Sequence, residues 1–264
     1  MKAAPPHIFV DETWIEIEGK KHIMLGAIST ENPGHLAHEV SRLKSSIGLK
    51  PFDEIKWNSA NFNQGQRNRL SEGIIRLIRD CTGLISIVEG SDRQKASELF
   101  ADQVIDYCSA NEFPAYFLAL DHGLIPKPDK LAEFVSRSHA PTCIGLSTLD
   151  SRYDQVIQCA DVFVGFFRAA IRQELGAALK LIPNTDESFE DIRIAWTLTE
   201  YVILGTRGML WGQTDTLDDR GFVYYEHPMH RAMGLGFRLH STITQEVRNL
   251  LEKNIATVYM GCLH

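Results

Sequence analysis

Apolar residues in the first 175 positions of the chain switch between two-residue spacing and three-to-four-residue spacing. The stretch from His7 to Glu12 reads as a first strand. Trp14 to Ile17 alternates and reads as a second, Lys20-Lys21 follows Gly19 in a turn, and His22 to Ser29 is a near-continuous apolar third. Short links between the three predict an antiparallel meander. Asn32-Pro33 then opens a helix, proline being favoured in a first turn. Leu36, Val40, Leu43 and Ile47 recur at helical spacing, and Gly48 closes it. Pro51 to Asn61 reads as irregular or briefly extended. Helices follow at Gln64 to Cys81, Gln94 to Ala110 and Pro128 to Ser138. They alternate with strands at Gly83 to Val88, Pro114 to Leu120 and Cys143 to Leu149. A long helix runs from about Tyr153 to Leu175.

Three strands followed by alternating helices and strands predict an α/β domain: a mixed sheet with an antiparallel edge and helices on both faces. The pattern weakens after Gly176. This divides the chain into a core, residues 1–176, and a helical and irregular C-terminal extension, residues 177–264, packed on it. Within the extension, Glu187 to Leu204 and Ser241 to Val258 read as helices, and Gly205 to Gly236 as an irregular lid or interface.

Composition narrows the picture. The 264 residues are 44% hydrophobic and 23% charged, as expected of a globular protein with one large domain. No apolar run is long enough to span a bilayer, and no apolar signal core precedes the first strand; we expect a cytoplasmic protein with no membrane partner. Five cysteines without a CxxC pair suit a reducing compartment and argue against a thiolate zinc site. The net charge of −7 weighs against a nonspecific nucleic-acid binder. A carboxylate site for divalent cations, however, is itself acidic when counted without its metal.

Candidate chemistry lies in the acids. Three apolar strands end in one: Asp11, Asp121 and Asp150. Each alone reads as a turn residue, but ligand sites of open α/β sheets lie at strand ends. In the first strand Phe9 and Asp11 share one face, and Ile8, Val10 and Glu12 the other. The long helix is apolar almost all round except for a stripe of Asp154, Gln158, Asp161, Gly165, Arg168 and Arg172. That stripe is either a thin solvent face or the wall of a polar pocket. The apolar surface around Asp161 favours the pocket, where a carboxylate needs a cation. Asp53-Glu54-Ile55-Lys56 is either a solvated ion pair or an acid with a lysine that meets a phosphate. Carboxylates from a strand, a nearby segment and a helix suit a two-Mg²⁺ site, in which ions about 4 Å apart activate water and stabilise the leaving oxygen of a phosphodiester.

Asp11-Glu12-Thr13, Glu54-Ile55-Lys56, and Asp150-Ser151 followed by Gln158-Cys159-Ala160-Asp161 resemble the signature of a widespread, mostly prokaryotic family, domain of unknown function number 3800. Its usual opening is Asp-Glu-Ser-Gly and its closing motif is Gln-x-Ala-Asp on a helix. The resemblance covers residues 7–170. It implies a fold similar to ribonuclease H, which also begins with three antiparallel strands and carries acids on strand one, a helix, a mid-chain strand and the last helix. It further implies Asp11, Glu54, Asp121 and Asp161 as ligands of Mg²⁺ or Mn²⁺, with Asp150 competing with Asp121. There are departures: Thr13 keeps the hydroxyl of the usual serine, Trp14 replaces the glycine, and Glu54 lies after the first predicted helix.

The first functional expectation is an enzyme, a Mg²⁺- or Mn²⁺-dependent nuclease or phosphodiesterase. Asp11, Glu54 and Asp161 hold metal, and Asp121 or Asp150 completes the shell. Glu12 and Lys56 position water or phosphate, while Gln158 steadies a ligand from behind. Nucleic acid is the expected substrate, with RNA, DNA, a hybrid and a small phosphoester all open. The alternative is a catalytically silent module that acts through a partner protein or homodimer in a prokaryotic defence or mobile-element system; the acidic charge and the lack of a basic track favour it. Glu54-Ile-Lys56 also resembles the Glu-x-Lys of restriction-type nucleases, against which the three-strand start argues. His227, His230, His240 and His122 read as packing or surface histidines.

Overall fold

The computed structural model describes residues 4–56, 62–79, 81–90, 92–122, 124, 141–175, 181–182, 196–197, 216–217, 223–224, 237–241 and 243–251. Strand β1 (His7–Ile17) turns through Glu18 and Gly19 into β2 (Lys20–Thr30). Both turn residues have positive φ, 52° and 74°, the backbone that matches the twist of a two-residue hairpin. Helix α1 (Pro33–Ile47) is capped at its start by the Asn32 side chain and closed by Gly48 at φ 78°. Then come α2 (Gln64–Arg79), β3 (Thr82–Glu89), α3 (Arg93–Ala110), β4 (Ala115–Asp121), β5 (Thr142–Leu149) and α4 (Ile157–Glu174). Two small antiparallel pairs follow, β6 (Leu181–Ile182) with β7 (Trp196–Thr197) and β8 (Thr216–Leu217) with β9 (Val223–Tyr224). The last strand among the described residues is β10 (Phe237–Leu239).

The main sheet has six strands in the order β10-β3-β2-β1-β4-β5. β2 is antiparallel to β1 and β3, while β1, β4 and β5 run parallel, as do β3 and β10. This is the α/β mixed sheet expected, antiparallel through β3, β2 and β1 and flanked by helices on both faces. Strand alternation sorts its residues. Phe9, Ile15, Met24, Ile28, Ile85 and Ala119 pack beneath α1, α2 and α4. Ile8, Val10, Leu25, Val88 and Leu120 pack against α3 through Phe100, Val104 and Cys108.

Several elements differ from the sequence reading. The expected first and second strands are one: Asp11 and Glu12 do not interrupt it, because Phe9, Asp11, Thr13, Ile15 and Ile17 hold a single two-residue period. The third antiparallel strand is β3, which follows α1 and α2, so the meander before the first helix is a two-strand hairpin. Helix α4 begins at Ile157 rather than near Tyr153. The Asp154 carboxylate caps it by accepting from the amides of Val156 (2.8 Å) and Ile157 (3.0 Å), which takes Asp154 out of the helical stripe. Trp196–Thr197 is extended and paired with β6, not helical; the rest of the helix expected at Glu187 to Leu204, and the helix at Pro128 to Ser138, lie outside the described residues. Of the closing helix, residues 245–251 are helical. The stretch after 176 also reaches the main sheet: β10 lies on its edge, and Phe237, Ile243, Val247 and Leu251 join the core beneath α4.

The position of α4 is set by packing. Ile157, Val162, Phe163, Val164, Phe166, Phe167 and Ile171 are all buried. Side chains of this kind contribute about 1.5–3 kcal/mol each, enough to offset drawing one carboxylate of the helix partly out of water. The helix crosses the sheet at Gly26, directly opposite Asp11 in the β1–β2 register. A Cβ there would stand 2.8 Å from Val164 Cβ and 3.3 Å from its Cα, so only glycine admits the helix at this depth. Gly26→Ala is expected to lower stability by about 1–3 kcal/mol, read as a drop in denaturant midpoint at unchanged m-value. An unchanged midpoint would show that α4 can shift without cost.

Candidate functional site

Close approach at Gly26 delivers Asp161, one turn before Val164, to Asp11. The two carboxyl groups stand close enough for each to act on the other's ionisation. Like charges this close and this far from water disfavour the ionisation of both together. Burial is the main cause: it raises the Asp11 carboxyl far above the usual carboxylate range, and the negative charges of Asp161 and Asp121 add to the effect. Asp161 is raised too, by burial first, with Lys56 pulling the other way. Asp11 is 8% exposed and accepts the Glu12 amide at 2.6 Å.

Asp121 arrives by strand register. β1 and β4 pair in parallel up to Val10 and Leu120, so Asp11 and Asp121 come next on adjacent strands, both on the face beneath α4. Burial raises Asp121, while the nearby backbone of Ser151 and His122 lowers it. Its Oδ1 is buried without a hydrogen-bond partner among the described residues.

Glu54 and Lys56 come from the loop after α1. Lys56 Nζ lies 2.9 Å from Glu54 Oε2, and this pairing holds the Glu54 carboxyl below its ordinary range and Lys56 above its own. Ser151 Oγ donates to Glu54 Oε1 at 2.9 Å. Gln158, 1% exposed, ties the two loops: its Oε1 accepts the Ile55 amide at 3.4 Å, and its Nε2 donates to the Ser151 carbonyl. Lys44, 2% exposed at the end of α1, donates to the Pro51 carbonyl at 2.8 Å and anchors the start of the same loop.

The structure therefore brings together Asp11, Asp121, Asp161, Glu54 and Lys56, with Gln158 behind them. Asp150 is not brought in: Arg152 engages both its oxygens, at 3.0 and 2.6 Å, and holds its carboxyl down to about 2. Glu12 faces the other side of the sheet, paired with Arg93, and its Oε2 is buried without a hydrogen-bond partner among the described residues. The His122 amide donates to the Leu149 carbonyl at 2.7 Å, and His227 and His230 lie outside the described residues. A cavity of about 230 Å³ opens at the N-terminal end of β1, lined by Thr30, Asn32, His35, Arg76 and Tyr107, and none of the clustered acids lines it.

Three contributors were missed in the sequence. Lys44 occupies the apolar stripe of α1, eight residues after Leu36, where a lysine must be buried. Gly26 interrupts an apolar strand, a mark of close backbone approach. Ser151 carried no signal beyond its place after Asp150.

The residues fit a hard divalent cation in their chemistry: oxygen donors, buried negative charge with Lys56 as its nearest cation, and an orphaned Asp121 oxygen. Among the described residues no three His, Cys, Asp or Glu side chains stand ready around one point.

The chain is an α/β protein whose mixed sheet carries a group of carboxylates. No known family model matches the chain, and no curated protein matches it. Among solved structures it is similar to ribonuclease HII from Archaeoglobus fulgidus, determined in complex with PCNA. That likeness has 13% identity and a TM-score of 0.37, and covers 81% of this chain and 98% of the other. It is also similar to ribonuclease H2 from Pyrococcus horikoshii OT3, with 14% identity and a TM-score of 0.39 over 77% of this chain and 99% of that one.

Proposed function

We propose that the chain is a Mg²⁺- or Mn²⁺-dependent phosphodiester hydrolase acting on nucleic acid, and a relative of the domain of unknown function number 3800 family. One observation carries this reading: Asp11 and Asp161, from a core strand and a core helix, are brought close together out of water, with Asp121 near enough to act on both. Burying two acids against each other is costly for folding, and a divalent cation is the partner that removes the cost. Asp11 and Asp161 would hold it, with Asp121 and Glu54 in support. A cation so held supplies a Lewis acid and a lowered pKa for bound water. Lys56, exposed beside Glu54, meets the substrate phosphate. Gln158 fixes the two loops relative to α4, and Asp121 offers its free oxygen toward a water or ligand.

The test is hydrolysis of bis(p-nitrophenyl) phosphate and of oligonucleotides by the purified chain in Mn²⁺, in Mg²⁺ and in EDTA. Cleavage is expected with either metal and is expected to vanish in EDTA and in Asp161→Asn. Mn²⁺ at about 100 times its dissociation constant should stabilise the wild type by about 2.7 kcal/mol, a rise of roughly 5–10 °C in melting temperature. No cleavage and no shift would leave the binding-module reading, which the net charge of −7 favours.

A further inference from the structure

Aromatic side chains carry large apolar surfaces that folding normally buries. Among the described residues three large apolar side chains stand mostly in solvent: Phe52 at 75% exposure, Tyr153 at 73% and Ile144 at 51%. The two aromatics are on the loops that Gln158 ties together. Phe52 precedes Glu54 by two residues and Tyr153 follows Ser151 by two. The Ser151–Glu54 hydrogen bond joins those loops at 2.9 Å, and two residues of chain reach at most about 7 Å. Both rings are therefore anchored close to one point at the rim of the acids. Tyr153 is oriented as well as exposed. The Arg152 guanidinium lies 5.6 Å from its ring centroid, and both oxygens of Asp150 fix that guanidinium. A ring steadied on one side and open on the other offers a π face to a second planar group.

Resting on the phosphodiester reading above, we propose that Phe52 and Tyr153 form a stacking platform for unpaired bases, so that the substrate is a single strand of nucleic acid. In a continuous duplex the base faces are covered by their neighbours, and a ring at the rim reaches them only after unstacking. In a single strand every base has a free face, and stacking is indifferent to sequence. The charges agree. Lys56 and Arg152, the cations of this rim among the described residues, are each paired with an acid, and the chain as a whole is at −7. Nonspecific duplex binding draws on phosphate neutralisation by free lysine and arginine; stacking does not need it. Asp150 acquires a role here, as the group that holds Arg152 and through it the tyrosine ring.

The test is fluorescence anisotropy with labelled oligo(U), oligo(dT) and a blunt duplex, each about 12 nucleotides long to match a single-strand site, in Ca²⁺, which takes the same oxygen ligands. The strands are expected to bind at least about tenfold more tightly than the duplex, with a shallow dependence on salt. Phe52→Leu with Tyr153→Leu keeps apolar bulk but removes both π faces, and should weaken strand binding by about five- to hundred-fold per ring. Phe52→Tyr with Tyr153→Phe keeps the rings and should keep the affinity. Both positions are exposed, so the fold is not at risk. Equal affinity for strand and duplex, or undiminished binding by the leucine pair, overturns the platform, the latter marking the rim as an apolar contact for a protein. If the wild type cleaves nothing while strand binding still depends on the rings, the platform stands and the hydrolase reading falls. Cleavage with duplex preferred does the reverse.

Discussion

Asp11→Asn is expected to abolish metal-dependent cleavage and, in metal-free protein, to raise the melting temperature at pH 8. The first effect should exceed the roughly 10- to 100-fold that loss of a supporting group costs a metal site, because Asp11 is placed as a ligand itself. The second follows from the buried pair. Asp11 ionises near 3.8 in an unfolded chain but is pushed up to about 8 in the folded one, and Asp161 to about 6. Between those limits the folded protein binds more protons than the unfolded, so stability falls as pH rises across the window. Every tenfold gain in proton affinity on folding corresponds to about 1.4 kcal/mol, and each kcal/mol moves the midpoint of a chain this size by about 2–4 °C. Metal-free wild type should therefore melt at least about 5 °C lower at pH 8 than near pH 5, and Asp11→Asn should flatten that dependence. Scanning calorimetry in EDTA across the range decides it. A wild type equally stable at both ends would mean that the two carboxyl groups are not buried against each other in solution.

Gln158→Ala carries the second large effect. Its amide bridges two loops that touch α4 and each other through it, so alanine leaves the Ile55 amide and the Ser151 carbonyl without their partner in buried surroundings. Such groups cost about 1–3 kcal/mol each. The variant should lose roughly that from its unfolding free energy and bind Mn²⁺ about 10- to 100-fold more weakly, as measured by titration calorimetry. Wild-type affinity in a destabilised variant would confine Gln158 to holding the fold.

The contrast between these two residues shows what could be read from the chain alone. Asp11, Asp161 and the face each occupies followed from two-residue and helical spacing, and the structure keeps both assignments. Asp121 against Asp150 could not be decided, because the answer depends on Arg152, two residues beyond Asp150, folding back on it. The order of strands was harder still. Local pattern sees alternation, and it split β1 at Asp11-Glu12 because two acids look like a turn when their neighbours are unknown. Contacts between distant segments, such as Lys44 with Pro51 or Gly26 with Val164, leave only a residue of the wrong kind in an otherwise regular pattern.

Strand β10 has a consequence for how the molecule comes into being. It pairs with β3 through Phe237 and Ile85, partners separated by well over half the chain. Loop-closure entropy makes such pairings late events in folding, and during synthesis β10 emerges long after β3. Until then one side of β3 presents unsatisfied amides and carbonyls, an open template for pairing with another chain. The nascent protein is thus most vulnerable to association at the edge of the sheet remote from β4 and β5, and β10 acts as the piece that closes it.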